Sequence, residues 1–466
     1  MMKKGMTLAV AVMLCAMLAG CGAGTAETAS AQAGAVSSAG AGTAGTASGA
    51  ENNTSGNTGT DNTGGASSSG TQTAATANVT SGGMIDATDM FTDRDLQQTA
   101  DLSDAVYYTA ADGEDITITA AGVYVITGSA SDVSVIVDAQ DTDKVQIVLD
   151  GVTITNSDFP CIYVKNADKV FVTTTSTENT LSVTGSFAAD GETNTDAVIF
   201  AKDDLVLNGT GTLNISSTDN GISAKDDLKI TGGTVNIGCV SDALEVNDTF
   251  AASDGTVTIN TRKDGIHAED DDDDSQGHVY ICGGTFTITA GDDAIHATAI
   301  TQIDGGEFSI SAAEGIEATY IQINGGTISI SASDDGINAA HKSSQYTPTM
   351  EMNGGTVVIS MGAGDTDAVD SNGNIIINGG TLDITAQSPF DYDGTAEHNG
   401  GTIIVNGTET SEISNQFGMG GPGMGGEGMG GQPGGGFGEG QPEGGLGGGQ
   451  PGGPGMGGPG GMGGRP

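Results

Sequence analysis

The sequence predicts an all-β fold, a right-handed parallel β-helix with three strands per coil and about twelve coils. Three observations predict it. The pattern Gly-Thr-Φ-x-Φ, with Φ apolar, recurs nine times, its second position falling at Thr212, Thr234, Thr256, Thr285, Glu307, Thr327, Thr356, Thr381 and Thr402. The gaps are 22, 22, 29, 22, 20, 29, 25 and 21 residues, a period near one solenoid coil. Within a coil the apolar residues alternate. Glu314 to Ala318, Tyr320 to Asn324 and Thr327 to Ala332 read as three short strands, with Ile316, Ala318, Ile321, Ile323, Ile328 and Ile330 facing inward. Helical spacing is absent, and Gly-Gly every twenty-odd residues would break a helix. Parallel strands joined by crossovers in one sheet take the right-handed path.

The elements follow in order. Lys3 and Lys4 precede the apolar run from Met6 to Leu18, which ends in Leu18-Ala19-Gly20-Cys21. A charged start and a short apolar stretch read as a secretory signal over residues 1–20 rather than a membrane span. The ending resembles a bacterial lipobox, so Cys21 is the expected lipidated residue, and the expected location is the outer face of the bacterial membrane. Several acyl chains on one cysteine suffice for stable anchoring. Residues 21–83, rich in Ala, Gly, Ser, Thr and Asn, read as a flexible linker reaching roughly 40–45 Å. The ordered body is expected over 84–414. The Gly, Pro and Met-rich stretch 415–466 cannot bury a core and reads as a disordered tail.

Before Thr212 the repeats are less regular, but Val123-Tyr-Val-Ile, Val133-Ser-Val-Ile-Val and Val145-Gln-Ile-Val-Leu continue the pattern. At about 4.8 Å per coil the stack would be roughly 55–60 Å long. The two gaps of 29 hold insertions, Glu269 to Ser275 and His341 to Pro348, expected to project as loops.

The chain has 466 residues with 60 acids against 13 bases, a net charge of −47. That balance excludes unaided nucleic-acid binding, which needs basic residues to displace counterions. It favours divalent cations as partners. Cys161, Cys239 and Cys282 are scattered at irregular spacing and give neither a disulfide framework nor a zinc motif. The chain is expected to act as a monomer.

Two repeated features read as structural. Asn324, Asn353, Asn378 and Asn399 each precede Gly-Gly, with Asp304 in the same place, as expected of a side-chain ladder up the stack. The Thr column lacks the Thr-x-Thr that an ice-binding face needs on each coil.

A second motif, an acid followed by Gly or Ala and then Ile, Val or Leu, carries the functional expectation. By coil, the acid position holds Asp196, Asn220, Asp242, Asp264, Asp293, Glu314, Asp335 and Asp367. Three residues on stand Ile199, Ser223, Glu245, His267, His296, Glu317, Asn338 and Asp370, with Asp292, Asp334, Asp365 and the run Asp270 to Asp274 alongside. Like charges in register repel. Hard divalent cations offset that repulsion, because Ca²⁺ takes six to eight oxygens from carboxylates, Asn carbonyls and backbone. The expected calcium ligands are Asp242, Glu245, Asp264, Asp292, Asp293, Glu314, Glu317, Asp334, Asp335, Asn338, Asp365, Asp367 and Asp370. A solvated acidic stripe is the plainer alternative, but it would not recur at one place per coil. His267 and His296 could also form a transition-metal or catalytic pair, though Cys and H-x-H spacing are missing.

The stretches Met90-Phe-Thr-Asp-Arg-Asp-Leu, Gly122-Val-Tyr-Val-Ile-Thr-Gly, Asp143-Lys-Val-Gln-Ile-Val-Leu-Asp-Gly-Val, Ala167-Asp-Lys-Val-Phe-Val and Glu178-Asn-Thr-Leu carry a resemblance. Together, over about residues 85–415, they resemble a family of bacterial cell-surface carbohydrate-binding proteins typified by a clostridial β-helix that binds cellulose and pectic acid. The resemblance implies a β-helix similar to polysaccharide lyases, bound calcium and acidic-polysaccharide binding without catalysis. It carries no ligand residue over; the calcium assignments rest on the column.

Three functions compete. A calcium-dependent binder of acidic polysaccharide needs no aromatic platform, in keeping with a chain that has no Trp. A lyase on the same scaffold needs a base beside the metal. The regular coils offer Lys202, Lys225, Lys229, Arg262, Lys263 and Lys342, with Arg262 and Lys263 the best placed. A hydrolase would need two opposed carboxylates. The third class is an adhesin with no sugar ligand.

Overall fold

The computed structural model describes residues 83–415, apart from 271, 364 and 365. Cys21, the linker up to residue 82, Asp365 and the tail from residue 416 lie outside the described residues. Among the described residues there is no helix, and the strands run from Val106–Thr109 to Thr408–Thr410.

Parallel pairing joins strands two or three places apart in the chain, with long strands such as Asp293–Ile303 and Glu314–Ile323 serving two columns, and the pairings separate into three columns. One column carries the Gly-Thr strands: Glu178–Val183, Thr212–Ser216, Thr234–Gly238, Thr256–Asn260 and onward to Thr402–Val405. Its inward row is Leu213, Val235, Val257, Phe286, Phe308, Ile328, Val357, Leu382 and Ile403, each paired with the next and all buried. Phe286 and Phe308 stack with ring centroids 5.0 Å apart. Alternation puts these side chains inside, and burying each stabilises by about 1.5–3 kcal/mol. The arrangement is consistent with a solenoid. The irregular early segments join it as expected: Val106–Thr109, Gly122–Ser131, Lys144–Asn156 and Lys169–Thr174 pair in series.

The asparagine ladder forms. Asn324 donates to Asp304 at 2.7 Å, Asn353 to Asn324 at 2.8 Å, Asn378 to Asn353 at 2.8 Å and Asn399 to Asn378 at 2.9 Å. The Gly-Gly pair after each ladder residue has two separate causes. A Cβ on Gly325 would stand 2.3 Å from the Asp304 carbonyl oxygen one coil below. Gly326 has φ of 87°, a left-handed conformation that a β-carbon disfavours. Gly326→Ala is therefore expected to cost about 1–3 kcal/mol, read as a lower denaturation midpoint with an unchanged slope. An unchanged midpoint would contradict this account of the turn.

The stack ends in the antiparallel hairpin of Thr402–Val405 with Thr408–Thr410, turned at Asn406 and Gly407, where φ is 51° and 75°. Asn-Gly suits such a turn because both central residues need positive φ.

The sequence did not foretell the path of residues 83–102. This segment has no strand and runs along the outside of a second column, against the direction of stacking. There the outward row Phe171, Val206, Lys229, Ala251, Tyr280, Gln302 and Gln322 is buried, as is the inward one. The Met84 and Ile85 amides donate to Gln322 and Gln302 at 3.0 and 2.7 Å. The Phe91 ring lies 6.3 Å from that of Tyr280, and the Arg94 guanidinium sits 4.4 Å over Phe171. Asp95, fully buried, stands 3.8 Å from the Lys169 ammonium, while its carbonyl accepts from Asn208 and Thr231. The segment thus acts as a strap.

Candidate functional site

The third column carries the acids: Asn220–Ala224, Leu244–Val246, Ile266–Ala268, then Asp293–Ile303, Glu314–Ile323, Ile337–Ala339, Asp367–Ser371 and Ser388–Tyr392. Ile222, Leu244, Ile266, Ile295, Ile316, Ile337 and Val369 hold its inward row. The side chain after each points outward. One outward row is Ser223, Glu245, His267, His296, Glu317, Asn338, Asp370 and Asp391, every one paired with the next.

Pairing departs from the expected alignment at the start. Asn220 pairs with Ala197 and Ser223 with Phe200, so Asp196 and Ile199 do not continue the two rows. At the other end the row reaches one coil further than expected, to Asp391, where Phe390-Asp391 repeats the apolar-acid pair Val369-Asp370. Asp292 and Asp334 are exposed on the turns preceding the strands.

The acid position forms its own backbone ladder. The Asn220 side-chain oxygen accepts the Asp242 amide at 2.9 Å, Asp242 that of Asp264 at 3.0 Å, and Asp264 that of Asp293 at 2.9 Å. Asp335 likewise accepts the Asp367 amide at 3.2 Å. Aligned amide donors favour carboxylates and offset part of the repulsion between coils.

The column divides into two halves by what faces its carboxylates. From Asn220 to Glu317 cationic side chains interleave. Lys225 meets Glu245 at 2.7 Å, and Lys263 lies 3.8 Å from Asp242. His267 places Nδ1 2.8 Å from Asp264 and Nε2 2.9 Å from Glu269. His296 places Nδ1 2.9 Å from both Asp293 and Glu317, and Lys342 reaches Glu317 at 2.9 Å. Burial opposes the His296 charge, but Asp293 and Glu317 outweigh it and raise its pKa to about 10. Burial also works against the Glu317 carboxylate, yet His296 and Lys342 hold it below the usual carboxylate range. Arg262 is exposed, and Lys225, Lys263 and Lys342 are the lysines brought onto the acids of this face.

From Glu314 onward the donors are oxygens. No ion pair reaches Glu314, Asp335 or Asp370 among the described residues. Burial first, then neighbouring acids, pushes Glu314 to about 8, Asp335 to about 7 and Asp370 to about 6. Asn338 uses its amide group on Glu314 at 3.0 Å and Glu317 at 3.3 Å. Its Oδ1 is buried without a hydrogen-bond partner. An acceptor left unpaired among carboxylates is costly unless a cation faces it.

The two insertions flank this face and touch. Ser344 donates its amide to Asp274 at 2.8 Å, and each loop sends one residue to the column, Glu269 to His267 and Lys342 to Glu317. A groove of about 290 Å³ opens beside them, lined by Lys225, Asp242, Glu245, Asn247, His267 and Glu269.

A family model described as carbohydrate-binding domain-containing protein matches residues 112–368 and 319–417. The chain belongs to that family. The match takes in the three columns from residue 112 onward and the whole acid face. A relative of the same description from Acetivibrio thermocellus is 34% identical over 125 residues, which is 26% of this chain and 43% of the relative. The chain thus aligns with less than half of that relative's length. A solved structure, the polysaccharide lyase-like protein from C. thermocellum as a gadolinium derivative, is similar at 23% identity and a TM-score of 0.40, covering 63% of this chain and 98% of that one.

Proposed function

We propose that this protein binds acidic polysaccharide, polygalacturonate or pectin in type, through calcium and without catalysis, held at the bacterial cell surface by a lipid on Cys21. The scaffold is taken to be a right-handed parallel β-helix with three strands per coil and about twelve coils, in keeping with the three columns of parallel pairing. Membership of a carbohydrate-binding family supports the ligand class. The observation that carries the cation is the oxygen-only half of the face, where the unpartnered Asn338 Oδ1 lies between Glu317 and Asp370 in register.

Those residues fit a hard divalent ion. Calcium, when bound, supplies positive charge that a uronate carboxylate can share with the protein. Glu314, Asp335, Asn338, Asp367 and Asp370 would hold it, Asp335 and Asp370 contributing charge and Asn338 its free carbonyl. Asp242, Glu245, Asp264, Asp293 and Glu317 already face Lys or His side chains and would contribute less. Stacked coils repeat these groups at about 4.8 Å, so a chain of uronates could meet more than one of them.

A lyase needs a neutral base. Lys342 works against that role, since Glu317 outweighs burial and raises the ammonium's pKa. Purified protein should be retained on polygalacturonate with calcium, released by chelator, and should generate no ultraviolet absorbance from unsaturated uronides. Absorbance would establish the lyase; no retention with or without calcium would favour the adhesin.

A further inference from the structure

We infer that His267, His296 and Glu269 form a separate site for a divalent transition metal of the Zn²⁺ class. The two imidazoles stand on adjacent coils in direct register, with ring centroids 4.7 Å apart. One donor atom from each of His267, Glu269 and His296 lies within 4.8 Å of the other two. Small side-chain rotations would bring all three to the ~2.0–2.2 Å that Zn²⁺ takes from nitrogen and carboxylate.

The surroundings match what a histidine metal ligand requires. A ligating imidazole is oriented by a carboxylate on its other nitrogen. His267 Nδ1 faces Asp264 at 2.8 Å, and His296 Nδ1 faces Asp293 and Glu317 at 2.9 Å each. His296 is thus held through Nδ1 by Asp293, while His267 has Asp264 beside its Nδ1 and Glu269 hydrogen-bonded to its Nε2 at 2.9 Å, a contact that a metal bound by both groups would replace. His296 is buried while His267 is part-exposed, and Glu269 comes from the loop beside the groove. The metal would sit at the rim with a position open to solvent or ligand. Nitrogen donors select zinc, nickel or copper over calcium, which prefers the oxygen-only half of the same face. The site therefore stands apart from the calcium reading and does not depend on it.

The competing role for the rings is that of imidazolium counter-ions to the acids around them. The two roles differ in a direct test. The full chain, with calcium in millimolar excess, would be titrated with Zn²⁺ against a chromophoric chelator, and with Co²⁺ while its visible absorption is followed. One Zn²⁺ per chain is expected, together with a Co²⁺ spectrum showing nitrogen ligation. His267→Gln and His296→Gln should each weaken zinc about a hundredfold. The exposed Glu269→Gln, which cannot disturb folding through a buried contact, should weaken it about tenfold. Asp335→Asn should leave zinc binding unchanged, and Glu269→Gln should leave calcium-dependent retention on polygalacturonate unchanged. Zinc binding equal in wild type, His267→Gln and Glu269→Gln, or Co²⁺ absorption without nitrogen ligation, would overturn the assignment.

Discussion

With calcium chelated, the protein is expected to melt at a lower temperature at pH 8 than at pH 5, and Asp335→Asn/Asp370→Asn is expected to lose much of that slope. The sign follows from linkage. Glu314, Asp335 and Asp370 have folded pKa values of about 8, 7 and 6, raised chiefly by burial from ordinary values of 4.5, 3.8 and 3.8. Between those values the folded chain holds more protons than the unfolded one, so stability falls as pH rises. His296, raised from 6.5 to about 10, acts in the same direction above pH 6.5. Added calcium should restore the melting temperature at pH 8 by mass action. In the double variant the melt in chelator should rise by on the order of a few degrees while calcium no longer shifts it. A variant that melts lower in chelator, and still responds to calcium, would show that these acids are neither repelling one another nor holding an ion.

Removing the strap's buried anchor should have the largest effect on stability. Asp95→Ala leaves the Lys169 ammonium, itself buried, with Asp204 at 3.0 Å as its remaining partner. Breaking a buried ion pair by removing one member costs about 3–5 kcal/mol. The cost should be toward the lower figure, because Asp204 stays. It should also be local. Amide exchange at the buried outward row, Val206 to Gln302, should accelerate before that of the Gly-Thr column, since the strap covers only the former. Equal acceleration in both columns would mean that Asp95 supports the stack as a whole.

The parts of this molecule governed by period could be read from sequence. Residues such as Ile316, Ile321 and Ile328 are buried as the alternation requires, and the asparagine ladder forms where Asn precedes Gly-Gly. The acid rows aligned from Asp242 to Asp370 because each coil repeats one spacing between acid and partner. Alignment failed at Asp196 because it sits one residue before the position opposite Asn220, so the residue three further on, Ile199, falls on the inward row opposite Ile222. The strap was illegible for a different reason. Phe91, Arg94 and Asp95 follow no period, and their partners Tyr280, Phe171 and Lys169 lie far along the chain. Interleaving of the column with Lys225 and Lys342 was hidden in the same way, since Lys342 arrives from an insertion. Charge counting alone therefore overstates the repulsion along the first half of the face and locates it correctly in the second.

Calcium bridging between protein and polysaccharide is tested most directly by a calorimetric titration of calcium, with and without polygalacturonate oligomers. Coupling is reciprocal: whatever factor calcium adds to polysaccharide affinity, the polysaccharide must add to calcium affinity. The account predicts tighter calcium binding in the presence of the oligomers, after correction for calcium bound by the oligomers alone, and loss of that gain in Asp335→Asn/Asp370→Asn. Identical calcium isotherms with and without oligomer, in a protein that still binds the polysaccharide, would contradict it.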